Sequence, residues 1–245
     1  MQQTELELRQ DLAAAYRLAA MLGWEDTLYT HFSVRLPDTI AGEPRFLINP
    51  FGLMFDEICA SDLIVVDLNG QVIEGNADYN PAGFTIHSAV HMARDDAHCV
   101  IHTHTLAGMA VAACKSGLLN LNQISAEFHQ RLGYHAYEGV AFNLDERQRI
   151  QTSLGDNIAL VLKNHGLLSV GATVADAFQV MFYLNKACEI QLAVGQVASL
   201  SAIDTIPDSL ADYVSGQFKK VEHERHIVWQ AWKRKLDRID QSYKD

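Results

Sequence analysis

Apolar and polar positions along the chain follow two periods. Residues 5–22 place Leu8, Leu12, Ala15, Ala19 and Leu22 on one helical stripe, and Gly23 is a natural stop. Between Trp24 and Asp38 the tail His31-Phe32-Ser33-Val34-Arg35 alternates, which predicts a strand. Residues 45–52 predict a second strand ended by Pro50 and Gly52. In 63–73 two apolar runs flank Asn69-Gly70, the signal of a hairpin closed by a type I′ turn with two positive φ angles. Asn80-Pro81 reads as an N-cap and first helical residue, opening a helix to about Arg94. A short buried strand, 99–105, precedes an Ala-rich helix, 106–115, closed by Gly117.

Residues 118–142 have no clear period and are expected to be irregular, a site wall or a subunit contact. Asp145 is placed to cap a helix over 146–154. One strand is expected over 158–165, and Thr173-Val174-Ala175-Asp176 opens a long helix to about Val194. After a connection, 202–208, the tail from about 209 to 240 reads as helical, with Trp229 and Trp232 as docking anchors. Strands and helices mix throughout, which predicts one α/β domain, residues 1–200, with 201–245 as a helical extension of it.

Two segments change the picture from fold to chemistry. Cys99–Thr105 runs out of an apolar core into His102 and His104, which share one face of a strand because they are two residues apart. His165 stands at the end of a second apolar run. The three read either as a divalent-metal site with an open position or as strand histidines hydrogen-bonded to their neighbours. His87 and His91 are four apart on the helix opened by Asn80. No glutamate follows His87, so the zinc-protease pattern is absent, and packing or hydrogen bonding is the preferred reading.

Charge and composition then remove whole classes. A net charge of −11 opposes non-specific binding to nucleic acid or an anionic membrane. No apolar run reaches the length of a membrane span, and the polar, acidic start is no secretory signal. Cys59, Cys99, Cys114 and Cys188 show no Cys-x-x-Cys spacing, which points to reduced thiols and a cytoplasmic protein.

Several separated blocks occur in the order found in one known family. They are Thr30–Arg35, Asn49–Gly52, Asn80–His87, Val100–Thr105, Tyr134–Gly139 and Lys163–Leu167. Through them the sequence resembles the class II aldolase/adducin family over about residues 5–200. The resemblance implies an α/β/α sandwich around a central, mainly antiparallel sheet, in a homotetramer with sites at subunit interfaces. It implies that His102, His104 and His165 hold a divalent metal, zinc first, with manganese or iron as alternatives.

The departures matter as much. The position of the aldolase glutamate, both ligand and proton-transfer group, is Gly83 here. The phosphate-binding serines match Pro81 and Ala82, and the proton-donating tyrosine falls near Gln123. Decarboxylation of a β-keto acid needs no base to take a hydroxyl proton, so it survives these losses better than aldol cleavage does. Glu127, His135 and Tyr137 are the candidate replacement catalytic groups. His31, Ser33, Arg35, Asn49, Gly52 and Gly83 are candidates for the substrate end. The expected activity is a metal-dependent lyase cleaving a C–C bond of a small hydroxy- or oxo-acid or carbohydrate derivative. The alternatives are a non-catalytic adducin-like module or a non-haem iron oxygenase. Actin or spectrin binding is not expected, because the end of the chain carries no lysine-rich block.

Overall fold

The structure, a computed structural model, describes residues 3–37, 44–197 and 202–245. In chain order the elements are α1 (Glu5–Met21), β1 (His31–Arg35), β2 (Arg45–Ile48), β3 (Ile64–Asp67), β4 (Val72–Glu74), α2 (Pro81–Ala93), β5 (Cys99–Thr103) and α3 (Leu106–Ala113). There follow α4 (Gln123–Ala126), β6 (Leu132–His135), α5 (Glu146–Leu154), β7 (Ala159–Leu162), β8 (Gly166–Gly171), α6 (Val174–Val197), α7 (Asp208–Val221) and α8 (Arg225–Asp237). The eight strands form one sheet in the order β4-β3-β2-β1-β5-β8-β7-β6. Every neighbouring pair is antiparallel except β6 with β7.

Strand alternation makes this a three-layer sandwich. On one face Phe32, Val34, Cys99, Ile101 and Leu167 pack with α1, α3 and α6 in the main core. On the other, Val100, Leu160, Leu168 and Val170 meet Ile86 and Val90 of α2 and Ile150 of α5. Local chemistry fixes the helix starts. Thr4 and Glu7 form a capping box at α1, and the Asn80 side chain accepts from the Ala82 N–H at α2. The tail docks through Trp229, buried against Phe178, and Trp232, packed on Phe182.

Four expectations change. Asn69 does not take a positive φ; only Gly70 does, at 89°. The Asp67 carboxylate accepts the Asn69 and Gln71 N–H groups and builds a longer turn than type I′. The segment 118–142 is not structureless: it holds α4, capped by Asn122, and β6. The run expected as one strand over 158–165 ends at Leu162, and after a tight turn the chain returns as β8, which the pattern did not predict. The tail breaks into α7 and α8 at a 3-10 turn, Glu222–Glu224. The expected boundary at 200/201 lies outside the described residues.

Candidate metal centre

β5 sits in the middle of the sheet, between β1 and β8. Its register puts His102 opposite His31 of β1 and opposite Leu168 of β8. His104 follows just past the strand end, on the same side as His102. His165 comes from the turn between β7 and β8, where Asn164 takes a φ of 54° and the His165 N–H donates to the Leu162 carbonyl. One ring nitrogen from each of His102, His104 and His165 lies within 4.8 Å of the others. Gly166 permits the approach: a Cβ there would stand 2.5 Å from the Thr103 carbonyl oxygen and 3.0 Å from the His104 ring. The strand histidines and the turn histidine can meet only because residue 166 has no side chain.

Hydrogen bonds fix how two of the rings face inward. His102 Nδ1 donates to the Leu167 carbonyl at 3.0 Å, and His104 Nδ1 donates to Asp26 Oδ2 at 2.8 Å. The two Nε2 atoms lie 2.9 Å apart, and in the neutral rings that these Nδ1 bonds orient, each would carry a bare lone pair. Two lone pairs at that distance repel unless a cation lies between them. A proton is disfavoured there, because burial and then the neighbouring imidazoles hold His102 well below the usual histidine range. His165 is lowered to about 4, again chiefly by burial. Imidazoles with outer nitrogens pinned by a carbonyl and a carboxylate are the donor set that divalent metals bind. These residues fit such an ion, with Asp26 orienting one ligand.

The triad opens into a cavity of about 510 Å³. Of the sequence candidates, His31 and Tyr137 also line it, as do Asp26, Asn80 and Asn164. The others are elsewhere. Glu127 is buried on the far side, paired with Arg225 at 3.1 Å in a network that also holds Arg131 and Glu222 and fastens the start of α8. Burial raises its carboxyl above the usual range. His135 is tied to Ser153 Oγ at 3.0 Å and Glu146 Oε1 at 3.2 Å, behind the cavity wall. Arg35 reaches Asp95 at the far end of β1. The Asn49 side chain accepts from the Tyr16 hydroxyl inside the core, and Gly52 lies in an exposed turn.

His31, Ser33, His87 and His91 form a buried chain that spacing alone did not reveal. His31 Nδ1 lies 2.8 Å from His87 Nε2. Ser33 Oγ bridges His87 Nδ1 at 2.5 Å and His91 Nε2 at 2.8 Å. His31 stacks on His102 with ring centroids 5.0 Å apart. A Cβ at residue 83 would fall 2.5 Å from the His31 ring, so that ring fills the space a side chain at 83 would need. Burial lowers His31 and His91 to about 3, and neighbouring imidazoles add to this at His31.

A family model described as the class II aldolase and adducin N-terminal domain matches residues 10–192. The chain belongs to the class II aldolase/adducin family. An aldolase II superfamily protein from Pseudomonas syringae superposes with a TM-score of 0.93 at 43% identity, covering 100% of this chain and 98% of that one. L-fuculose 1-phosphate aldolase from Glaciozyma antarctica PI12 gives 0.84 at 28% identity, over 98% of this chain and 93% of that one. Alpha-adducin from Rattus norvegicus is 41% identical over 216 residues, 86% of this chain and 28% of adducin. At the level of the family, the fold and the chemistry are those of a metal-dependent, aldolase-type lyase.

Proposed function

We propose that this class II aldolase relative is a lyase that cleaves a C–C bond of a small oxo- or hydroxy-acid, with decarboxylation as its reaction. His102, His104 and His165 hold the divalent ion, with zinc as the first choice. The observation that carries the reading is the pair of Nε2 lone pairs 2.9 Å apart, each fixed by a partner on Nδ1. When bound, a divalent ion would supply a Lewis acid that polarises a carbonyl oxygen.

The rest follows from the chain's own groups. Asp26 is committed to His104, so it orients a ligand and is not free to move a substrate proton. Gly83 has no side chain to take a proton, Glu127 is paired with Arg225, and His135, in a small adjoining hollow beside His165 and Tyr137, is tied to Ser153 and Glu146. That leaves His31 and the Tyr29 and Tyr137 hydroxyls as the cavity groups able to exchange a proton. Loss of CO₂ from a β-keto acid leaves the electron pair of the broken C–C bond in an enolate, so it requires no base at the start, only a group to return a proton at the end. A tyrosine hydroxyl, which can donate as well as accept, suits that role. The reading extends to a homotetramer, as the resemblance implies, and to the cytoplasm, as the cysteine spacing suggests.

The test is metal content by mass spectrometry on untagged protein, beside His102→Ala and His165→Ala, followed by assay of CO₂ release from a panel of β-keto acids. Near-stoichiometric metal lost in both variants, with chelator-sensitive CO₂ release, is the expected result. Protein that takes up no metal on reconstitution would overturn the reading. It would favour a non-catalytic module, which the adducin similarity also permits.

A further inference from the structure

We propose that Ser33, His87 and His91 lock the tautomer of His31: its proton lies on Nδ1, pointing inward, and a bare Nε2 faces the cavity as the hydrogen-bond acceptor for a ligand hydroxyl. The inference deepens the site reading above and rests on it only for the cavity's being where a ligand binds. It needs no metal.

Counting hydrogens leaves few options. Ser33 and His87 are fully buried, His91 is 1% exposed and His31 2%, all enclosed by their own chain, so their hydrogen bonds are made with one another. Among the described residues no carboxylate pairs with any of them. Burial then keeps the three rings neutral. A neutral imidazole has one N–H and one bare nitrogen, and a hydroxyl has one hydrogen. The contacts run from His31 Nδ1 to His87 Nε2, from His87 Nδ1 to Ser33 Oγ, and from Ser33 Oγ to His91 Nε2. Only two arrangements make all of them at once: every hydrogen points toward His91, or every hydrogen points toward His31. A single ring cannot turn over alone, because two N–H groups or two lone pairs would then meet in a buried place.

The helix chooses between the two. The N-terminal end of α2 lines the cavity through Asn80 and Ala82, while His91 lies in the last turn, one turn beyond His87. Unpaired carbonyls give a helix a partial negative charge at its C-terminal end. Hydrogens that point toward His91 run with that field. His91 Nδ1, buried without a hydrogen-bond partner, then carries its proton at that end. The Ala97 backbone, just beyond the helix, also favours a proton on this ring. In this order His31 donates from Nδ1 and keeps a bare Nε2. Gly83 gives that nitrogen its room, since a Cβ there would fall 2.7 Å from it. His31 lines the cavity, and with Nδ1 turned inward, Nε2 is the nitrogen left to face it. Ser33, His87 and His91 are thus positioning residues, which decide from inside the fold what His31 offers. A bare Nε2 has no hydrogen to give, so the return of a proton falls to a tyrosine hydroxyl.

The experiment is long-range proton–nitrogen correlation spectroscopy of the full-length protein with isotope-labelled histidine, zinc-replete and zinc-free. The His31 signals are assigned by their loss in His31→Gln. A bare ring nitrogen resonates far downfield of a protonated one. In the wild type His31, His87 and His91 should each be protonated at Nδ1 and bare at Nε2. His91→Phe leaves the Ser33 hydroxyl only His87 to donate to, which reverses the order and should move the His31 proton to Nε2. Ser33→Ala cuts the chain without adding bulk and should leave His31 with the two forms mixed. A merely packed chain would leave the His31 tautomer unchanged in both. Hydroxyacetone should shift the wild-type His31 Nε2 upfield. Methoxyacetone, which has no hydroxyl hydrogen, should not, and the difference should vanish in His91→Phe.

A wild-type His31 protonated at Nε2 would overturn the proposal. So would a His31 tautomer unchanged in every folded variant, or an equal response to the two ketones. The metal reading fails separately. Protein that takes up no zinc but shows the wild-type order removes the metal and leaves the tautomer lock. Zinc lost in His102→Ala, in a protein whose wild-type His31 is protonated at Nε2, removes the lock and leaves the metal.

Discussion

The buried histidine chain makes acid the sharpest perturbation of this fold. His31 and His91 are fully enclosed, and burial holds both to about 3, against 6.5 for the free side chain. Between those values the unfolded chain binds a proton at each site and the folded chain does not. Stability therefore rises with pH across the window: it is complete above about pH 6.5 and is lost as pH falls towards 3. The slope approaches about 1.4 kcal/mol per pH unit for each histidine. From about pH 7 to about pH 5 each site costs about 2 kcal/mol, and the pair about 4 kcal/mol. That is comparable with the whole stability of a marginal domain. His87, His102 and His165 are lowered by burial too and act in the same sense in the metal-free protein. The assay is urea unfolding of metal-free protein at several pH values, beside His91→Gln, which keeps a hydrogen-bonding amide beside Ser33 Oγ. The variant's loss between about pH 7 and about pH 5 should shrink by about 2 kcal/mol. Equal stability of the wild type at the two pH values would refute the reasoning. So would a His91→Gln protein with an unchanged pH slope.

Three further outcomes follow from single contacts. Asp26→Ala removes the acceptor from His104 Nδ1 and should lower zinc affinity by about 10- to 100-fold in a chelator competition, with little change in melting temperature. Gly166→Ala drives a Cβ toward the Thr103 carbonyl and the His104 ring; it should cost about 1–3 kcal/mol in denaturant unfolding and weaken metal binding as well. Arg225→Ala strips the partner from buried Glu127 and should cost about 3 kcal/mol, while Glu127→Gln should leave metal content unchanged, because that network only fastens α8.

The places where pattern and structure part share a cause. The 158–165 run was legible as a strand, but nothing local says that Asn164 takes a left-handed φ and that the chain returns at once as β8. β6 was hidden because its pairing is parallel and its partner, β7, lies more than twenty residues downstream. Asn69-Gly70 was legible as a turn, but the Asp67 carboxylate chose its type. Glu127 and His135 looked chemical because they are polar groups in a segment without a period. Each is instead satisfied inside the fold, by Arg225 and by Glu146 with Ser153. Asp26 carried no signal, since a lone acid before a strand is ordinary, and Asn164 stood in a matching block without a role of its own.

By itself the sequence determined what depends on neighbours a few residues away. It set the helix of residues 5–21 with its capping box, the Asn80-Pro81 start, and the alternation that puts His102 and His104 on one side. Its separated blocks also carried the family. Tertiary structure decided what depends on register and burial. It decided that His31 stands across from His102 and occupies the room of a side chain at 83, and that Leu167 and Asp26 turn two lone pairs toward each other. It also decided that Ser33, His87 and His91 join His31 in one buried chain. A side chain's rotamer, protonation and partner are set by atoms distant in the chain, and only the packed sheet brings those atoms within reach.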